Sequence, residues 1–108
     1  MLRIVFLVAL AVPAAAQDAP ACEVTASSAA IRIAVCDGPG SDAQLAAEGR
    51  RACDGALPCG AWFWADAEAA PAEAPGNHDG LTQEQIVSSL GVYVAENESF
   101  VRIEAVPE

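Results

Sequence analysis

Cys53-Asp54-Gly55-Ala56-Leu57-Pro58-Cys59-Gly60-Ala61-Trp62-Phe63-Trp64 joins two of the four cysteines to both tryptophans and one of the three phenylalanines. Ala61 to Ala65 is apolar on both faces of an extended chain, with Phe63 opposite to Trp62 and Trp64. A short continuous apolar run bounded by turn residues is the pattern of a central strand. Just upstream, Asp54-Gly55 stops a helix and Pro58 stiffens the short path to Cys59. Closing Cys53 to Cys59 stabilises by on the order of 2–3 kcal/mol and fixes how that helix hands over to the strand.

Upstream, Ser41 is a good N-cap and Asp42 suits the first turn of a helix running from Asp42 to about Cys53. Leu45, Ala46 and Ala52 fall on its inner side, and Arg50 and Arg51 complement the dipole in its last turn. Asp37-Gly38-Pro39-Gly40 is the turn before it. Earlier still, Cys22–Ala26 and Ile31–Cys36 read as two strands, the second alternating Ile31, Ile33 and Val35 against Arg32 and Ala34. Folding them about Ala29 sets Cys22 opposite Cys36.

Downstream, residues 66–80 form a long acidic loop rich in alanine and proline. Loops of that length in a compact domain are usually functional or mobile. Thr82 with Gln85 is a capping-box signature for a helix from Gln83 to about Leu90, with Ile86, Val87 and Leu90 as its apolar side. Val92–Ala95 and Phe100–Val106, separated by Glu96-Asn97-Glu98-Ser99, read as a hairpin. The expectation is one α+β domain in the order β-β-α-β-α-β-β: an antiparallel sheet of about five strands with the first helix packed on one face.

Met1-Leu2-Arg3, the apolar run Ile4–Val12, the helix breaker Pro13 and the small residues Ala14-Ala15-Ala16 describe a secretory signal cleaved after residue 16. The apolar run is about half the roughly 20 residues a spanning helix needs. Ala19-Pro20-Ala21 lacks the branched aliphatic residue of a lipoprotein site before Cys22. The expected destination is periplasmic or extracellular, with no membrane attachment after cleavage. Removing residues 1–16 from the 108 leaves 92, and a domain of that size buries only roughly 60–65% of its unfolded surface. Staples are therefore expected.

Export favours disulfides among Cys22, Cys36, Cys53 and Cys59. Four cysteines allow three connectivities. Zinc is disfavoured because thirteen, sixteen and five residues intervene between successive cysteines, with no C-x-x-C pair and a single histidine, His78. Loss of Arg3 with the signal takes the formal charge from −10 to −11, and the chain has no lysine. Such a surface argues against nucleic acid and anionic membranes and attracts cationic partners.

No motif for catalysis stands out. The serines lack glycine-elbow context, and no thioredoxin-like βαβ pattern surrounds Cys53 and Cys59. Placing Gly80 at the sixth position of a calcium loop puts Pro75 first and Ile86 twelfth, where carboxylates are required, so that motif fails. No cofactor or metal is expected. Asn97-Glu98-Ser99 is a glycosylation sequon that matters only in a pathway that glycosylates. Trp62 and Trp64 share one strand face and either fill the core or, if that face is open, stack on a ligand or partner.

Pro58-Cys59-Gly60-Ala61-Trp62-Phe63-Trp64-Ala65-Asp66, the pairs Ala70-Pro71 and Ala74-Pro75, and Gly91-Val92-Tyr93-Val94 resemble small exported proteins of proteobacteria with no assigned activity. The resemblance spans most of the chain after the signal. It implies a periplasmic, disulfide-containing domain and carries over no catalytic residue.

The expected function is a non-enzymatic periplasmic binding or accessory module, with Trp62, Trp64, Asp66, Glu68, Glu73 and Asp79 as candidate partner-binding residues. The alternative is an acidic inhibitor of a cationic exported enzyme such as a lysozyme. A weaker alternative is a small hydrolase pairing Asp66 with Asp79, which requires a cleft that raises one carboxyl pKa.

Overall fold

A computed structural model describes residues 20–103. Residues 1–16, where a signal is expected, lie outside the described residues, as do residues 104–108. The elements are β1 (Cys22–Ser27), β2 (Ile31–Cys36), α1 (Asp42–Cys53), β3 (Gly60–Trp64), α2 (Gln83–Ser88), β4 (Gly91–Val94) and β5 (Ser99–Arg102), with a short 3₁₀ turn at His78–Gly80. The five strands form one sheet in the order β1-β2-β3-β4-β5, so the fold is α+β and the Trp62–Trp64 strand is central.

The sheet is mixed, which corrects the antiparallel expectation. β2 and β3 run parallel, while the other three pairs are antiparallel. The cause is α1. A 12-residue helix spans about 18 Å, close to the length of a five- or six-residue strand. Laid back along the sheet, it returns the chain to the end where β2 began, so β3 must run in the same direction.

Ser41 caps α1 by accepting from the Gln44 amide, while Gln44 Oε1 accepts from the Ser41 amide. Asp54, in the left-handed conformation at φ 51°, closes its C-terminus through a bond from its amide to the Arg50 carbonyl. Leu45, Gly49 and Cys53 form the buried stripe, with Ala46 and Ala52 beside it. Gly49 is what lets α1 lie close, because a Cβ there would run into the Cβ of Tyr93 on β4.

All five residues of β3 are buried. On the α1 side, Ala61 and Phe63 pack with Ala34, Cys36, Leu45, Cys53, Cys59 and Tyr93. On the other side, Trp62 and Trp64 pack with Ile31, Ile33, Leu81 and Val92. The sheet therefore has a core on each face.

The two disulfides are Cys22–Cys36 and Cys53–Cys59. Cys22 pairs directly with Cys36 across β1 and β2, while a bulge at Thr25 moves the remainder of the hairpin by one residue. The first bond holds the edge strand to the sheet. The second, with both its cysteines buried in the α1-side core, ties the helix end to the start of β3.

Two boundaries differ from the sequence reading by more than one residue. α2 stops at Ser88 because the Leu90 amide bonds to the Phe63 carbonyl, at 2.6 Å, and draws the chain into the sheet. Of the three residues expected on its apolar side, Ile86 packs with the tryptophans, Val87 is exposed and Leu90 packs on the opposite core. β5 ends at Arg102, and the expected extension to Val106 falls partly outside the described residues.

Candidate functional site: an acidic strap over a sealed tryptophan face

Trp62 and Trp64 are 5% and 0% exposed, which decides whether their face is core or surface. Their rings lie 6.4 Å apart, tilted by 30°. Both indole N–H groups are satisfied inside the protein: Trp62 Nε1 donates to His78 Nδ1 at 2.9 Å, and Trp64 Nε1 donates to the Gln85 carbonyl and to Ser88 Oγ. A buried indole with its donor paired is a structural anchor, since leaving that donor unpaired costs about 1–3 kcal/mol. As native binding residues both tryptophans are therefore out of a partner's reach.

The cover is the 66–80 segment together with Leu81 and α2. Ala69, Ala70 and Ala74 turn inward onto the tryptophan cluster, joined by Leu81 and Ile86. Small side chains allow an irregular backbone to lie close to two large rings. Two further contacts fasten this strap. Ser28 Oγ in the β1–β2 turn donates to the Pro75 carbonyl at 2.7 Å. The His78 ring sits over Gly60, where a Cβ would come within 2.5 Å of its Cε1, and leans on Trp62 with ring centres 5.7 Å apart. Because Nδ1 accepts from Trp62, the ring hydrogen belongs on Nε2.

With Ala69, Ala70 and Ala74 turned in, the strap turns its acids out. Asp66, Glu68, Glu73 and Asp79 are all exposed. Asp66 Oδ1 accepts from the Glu68 amide at 2.9 Å, which shapes the first turn of the strap. Glu68 and Glu84 line one groove of about 530 Å³ between the start of the strap and α2, with Ala69, Ala70, Thr82, Gln85 and Ser88. Asp66, Glu73 and Asp79 stand outside that lining. Glu84 was not singled out by sequence, yet its position in the first turn of a capped helix beside the strap brings it to the groove.

The Asp66 and Asp79 carboxylates stand in solvent. Among the described residues, no three His, Cys, Asp or Glu side chains gather in a metal-binding group. No described helix is long and apolar enough to cross a membrane.

At the opposite end of β3, sequence reading missed Leu57. It lies inside the Cys53–Cys59 loop and is 67% exposed. The loop is braced by the Ala56 amide on the Cys53 carbonyl and by the Ala95 amide on the Cys59 carbonyl, both at 2.9 Å. A leucine among turn residues within a seven-residue disulfide loop was the available signal.

Compared with known proteins, the chain matches no family model, no curated protein and no solved structure.

Proposed function

We propose that this protein is an exported, non-enzymatic binding or accessory module whose partner is a cationic protein. One observation carries the proposal: the long loop seals the tryptophan face with its alanines while holding four carboxylates in solvent, and Glu68 meets Glu84 across a groove of about 530 Å³. A formal charge of −10 for the whole chain supports the same reading, because it accelerates encounter with basic surfaces. The two disulfides are compatible with an extracytoplasmic protein, and the signal-like residues 1–16 support export to the periplasm or beyond. Inhibition of a cationic exported enzyme, a lysozyme for example, is the same function with an enzyme as partner.

The test is binding of the purified protein to a panel of basic extracytoplasmic enzymes, a lysozyme among them, across a salt series. Exposed charges are screened over about 10 Å at 0.1 M salt, so affinity is expected to fall steeply between low and high salt. Glu68→Gln with Glu84→Gln is expected to weaken binding at low salt and flatten that dependence. Absence of salt-dependent binding to every member of the panel would overturn the proposal.

A further inference from the structure

We infer that the Cys53–Cys59 loop is a preformed anchor that inserts Leu57 into an apolar socket on the cationic partner. This rests on the function proposed above and adds a second surface at the far end of β3 from the Glu68–Glu84 groove.

Leu57 is the most exposed large apolar side chain described in the fold, at 67%. Single exposed leucines are common and mean little by themselves. This one differs in how it is held. Its loop is closed by a disulfide whose cysteines are 3% and 2% exposed, and Asp54 and Gly55 turn the chain at positive φ immediately before it. The β4–β5 turn is bonded to the same loop through Ala95 and Cys59. An apolar side chain on a backbone fixed in this way loses little conformational freedom on binding, which is where much of the cost of association lies.

The surroundings say what kind of partner fits. Beside Leu57 runs a cleft of about 210 Å³, lined by Ala56, Tyr93 and Ala95, with Glu98 on one side and Arg50 at the helix end. Glu98 belongs to that lining, and Asp54 and Glu96, the chain neighbours of lining residues Cys53 and Ala95, are exposed. With exposed Asp54, Glu96 and Glu98 outnumbering Arg50 along these two turns, a leucine-sized knob here complements an apolar socket rimmed by lysine or arginine. A second copy of this chain is the poorer occupant, because it would bring the same carboxylates and the same net negative charge to the contact.

The experiment uses the best binder from the basic-enzyme panel and measures Kd at several salt concentrations for wild type, Leu57→Ala, Leu57→Asp and the control Val101→Ala. Val101 is also exposed, at 50%, but lies on β5. Leu57→Ala and Leu57→Asp are expected to weaken binding by about 30-fold or more, the scale of an interface hot spot. For Leu57→Ala the factor is expected to hold at every salt concentration, since the lost contact is apolar, and Val101→Ala is expected to bind as wild type. Exposed substitutions leave stability within about 0.5 kcal/mol, so unchanged melting temperatures confirm that the variants fold. If wild type binds with steep salt dependence and the Leu57 variants bind equally well, the anchor is wrong while the proposed function stands. If wild type binds no member of the panel, both fall. A wild-type dimer in sedimentation equilibrium that Leu57→Asp converts to monomer would assign the loop to self-association and overturn the inference.

Discussion

Trp64→Ala is expected to lower stability by about 3–5 kcal/mol, the range for removing a buried aromatic ring. Trp64 is fully buried at the centre of the strap-side core, and its ring supports both the strap alanines and α2. A domain of this size has about 5–10 kcal/mol of stability in total. The loss therefore corresponds to roughly 15–30 °C in melting temperature. The substitution also frees the Gln85 carbonyl and Ser88 Oγ, which receive the indole N–H, although Ser88 Oγ already donates to that carbonyl. Trp64→Phe keeps most of the apolar ring and is expected to cost only about 1–2 kcal/mol, consistent with loss of one hydrogen bond and a small packing defect. Thermal or urea unfolding of both variants checks this. Near-wild-type stability of Trp64→Ala would mean that the strap rests on something other than the tryptophans.

Reduction of both disulfides is expected to have an effect of similar size. Loop-closure entropy gives about 3 kcal/mol for the 14-residue separation of Cys22–Cys36 and about 2.2 kcal/mol for the six-residue separation of Cys53–Cys59. Together these approach half or more of the stability of a domain this small. The bonds also hold different parts of the molecule: the first keeps edge strand β1 on the sheet, and the second sets the handover from α1 to β3. Calorimetry in reductant, with the four thiols shown to be free, is expected to give a midpoint lower by at least 20 °C, or no transition at all. An unchanged midpoint would show that the two cores suffice without staples.

Much of this fold was legible because local chemistry and tertiary position agree. Ser41, Asp42 and Asp54-Gly55 marked both ends of α1, and Thr82 with Gln85 marked the start of α2. The uninterrupted apolar run at 61–65 revealed a strand buried on both faces, and hairpin geometry placed Cys22 opposite Cys36 while the connectivity of the four cysteines stayed open. Strand direction was harder, because a period of two is the same in parallel and antiparallel sheets, and only the length of α1 distinguishes them. The role of Gly49 was hidden for a related reason, since nothing in the helix itself predicts that Tyr93 lies beneath it.

The strap was the least legible part. Its prolines and acids describe a surface loop, and its outer side is one. Its alanines and His78 acquire meaning only once Trp62 and Trp64 are known to lie beneath them. The tryptophan pair, a natural first choice for a binding surface, is instead what holds the acidic surface in place. Candidate binding chemistry thereby moves outward, to the carboxylates of the strap and the groove beside α2, and to Leu57 at the other end of β3.

That division between a sealed aromatic interior and an acidic exterior is tested most directly by acrylamide quenching of tryptophan emission from the native protein. Trp62 and Trp64 are the only tryptophans in the chain, so the signal comes from this face alone. Emission blue-shifted from that of the urea-unfolded chain, with a quenching constant several-fold smaller, is the expected result. Red-shifted emission, quenched in the native state as readily as in urea, would mean that the strap does not close over the tryptophans.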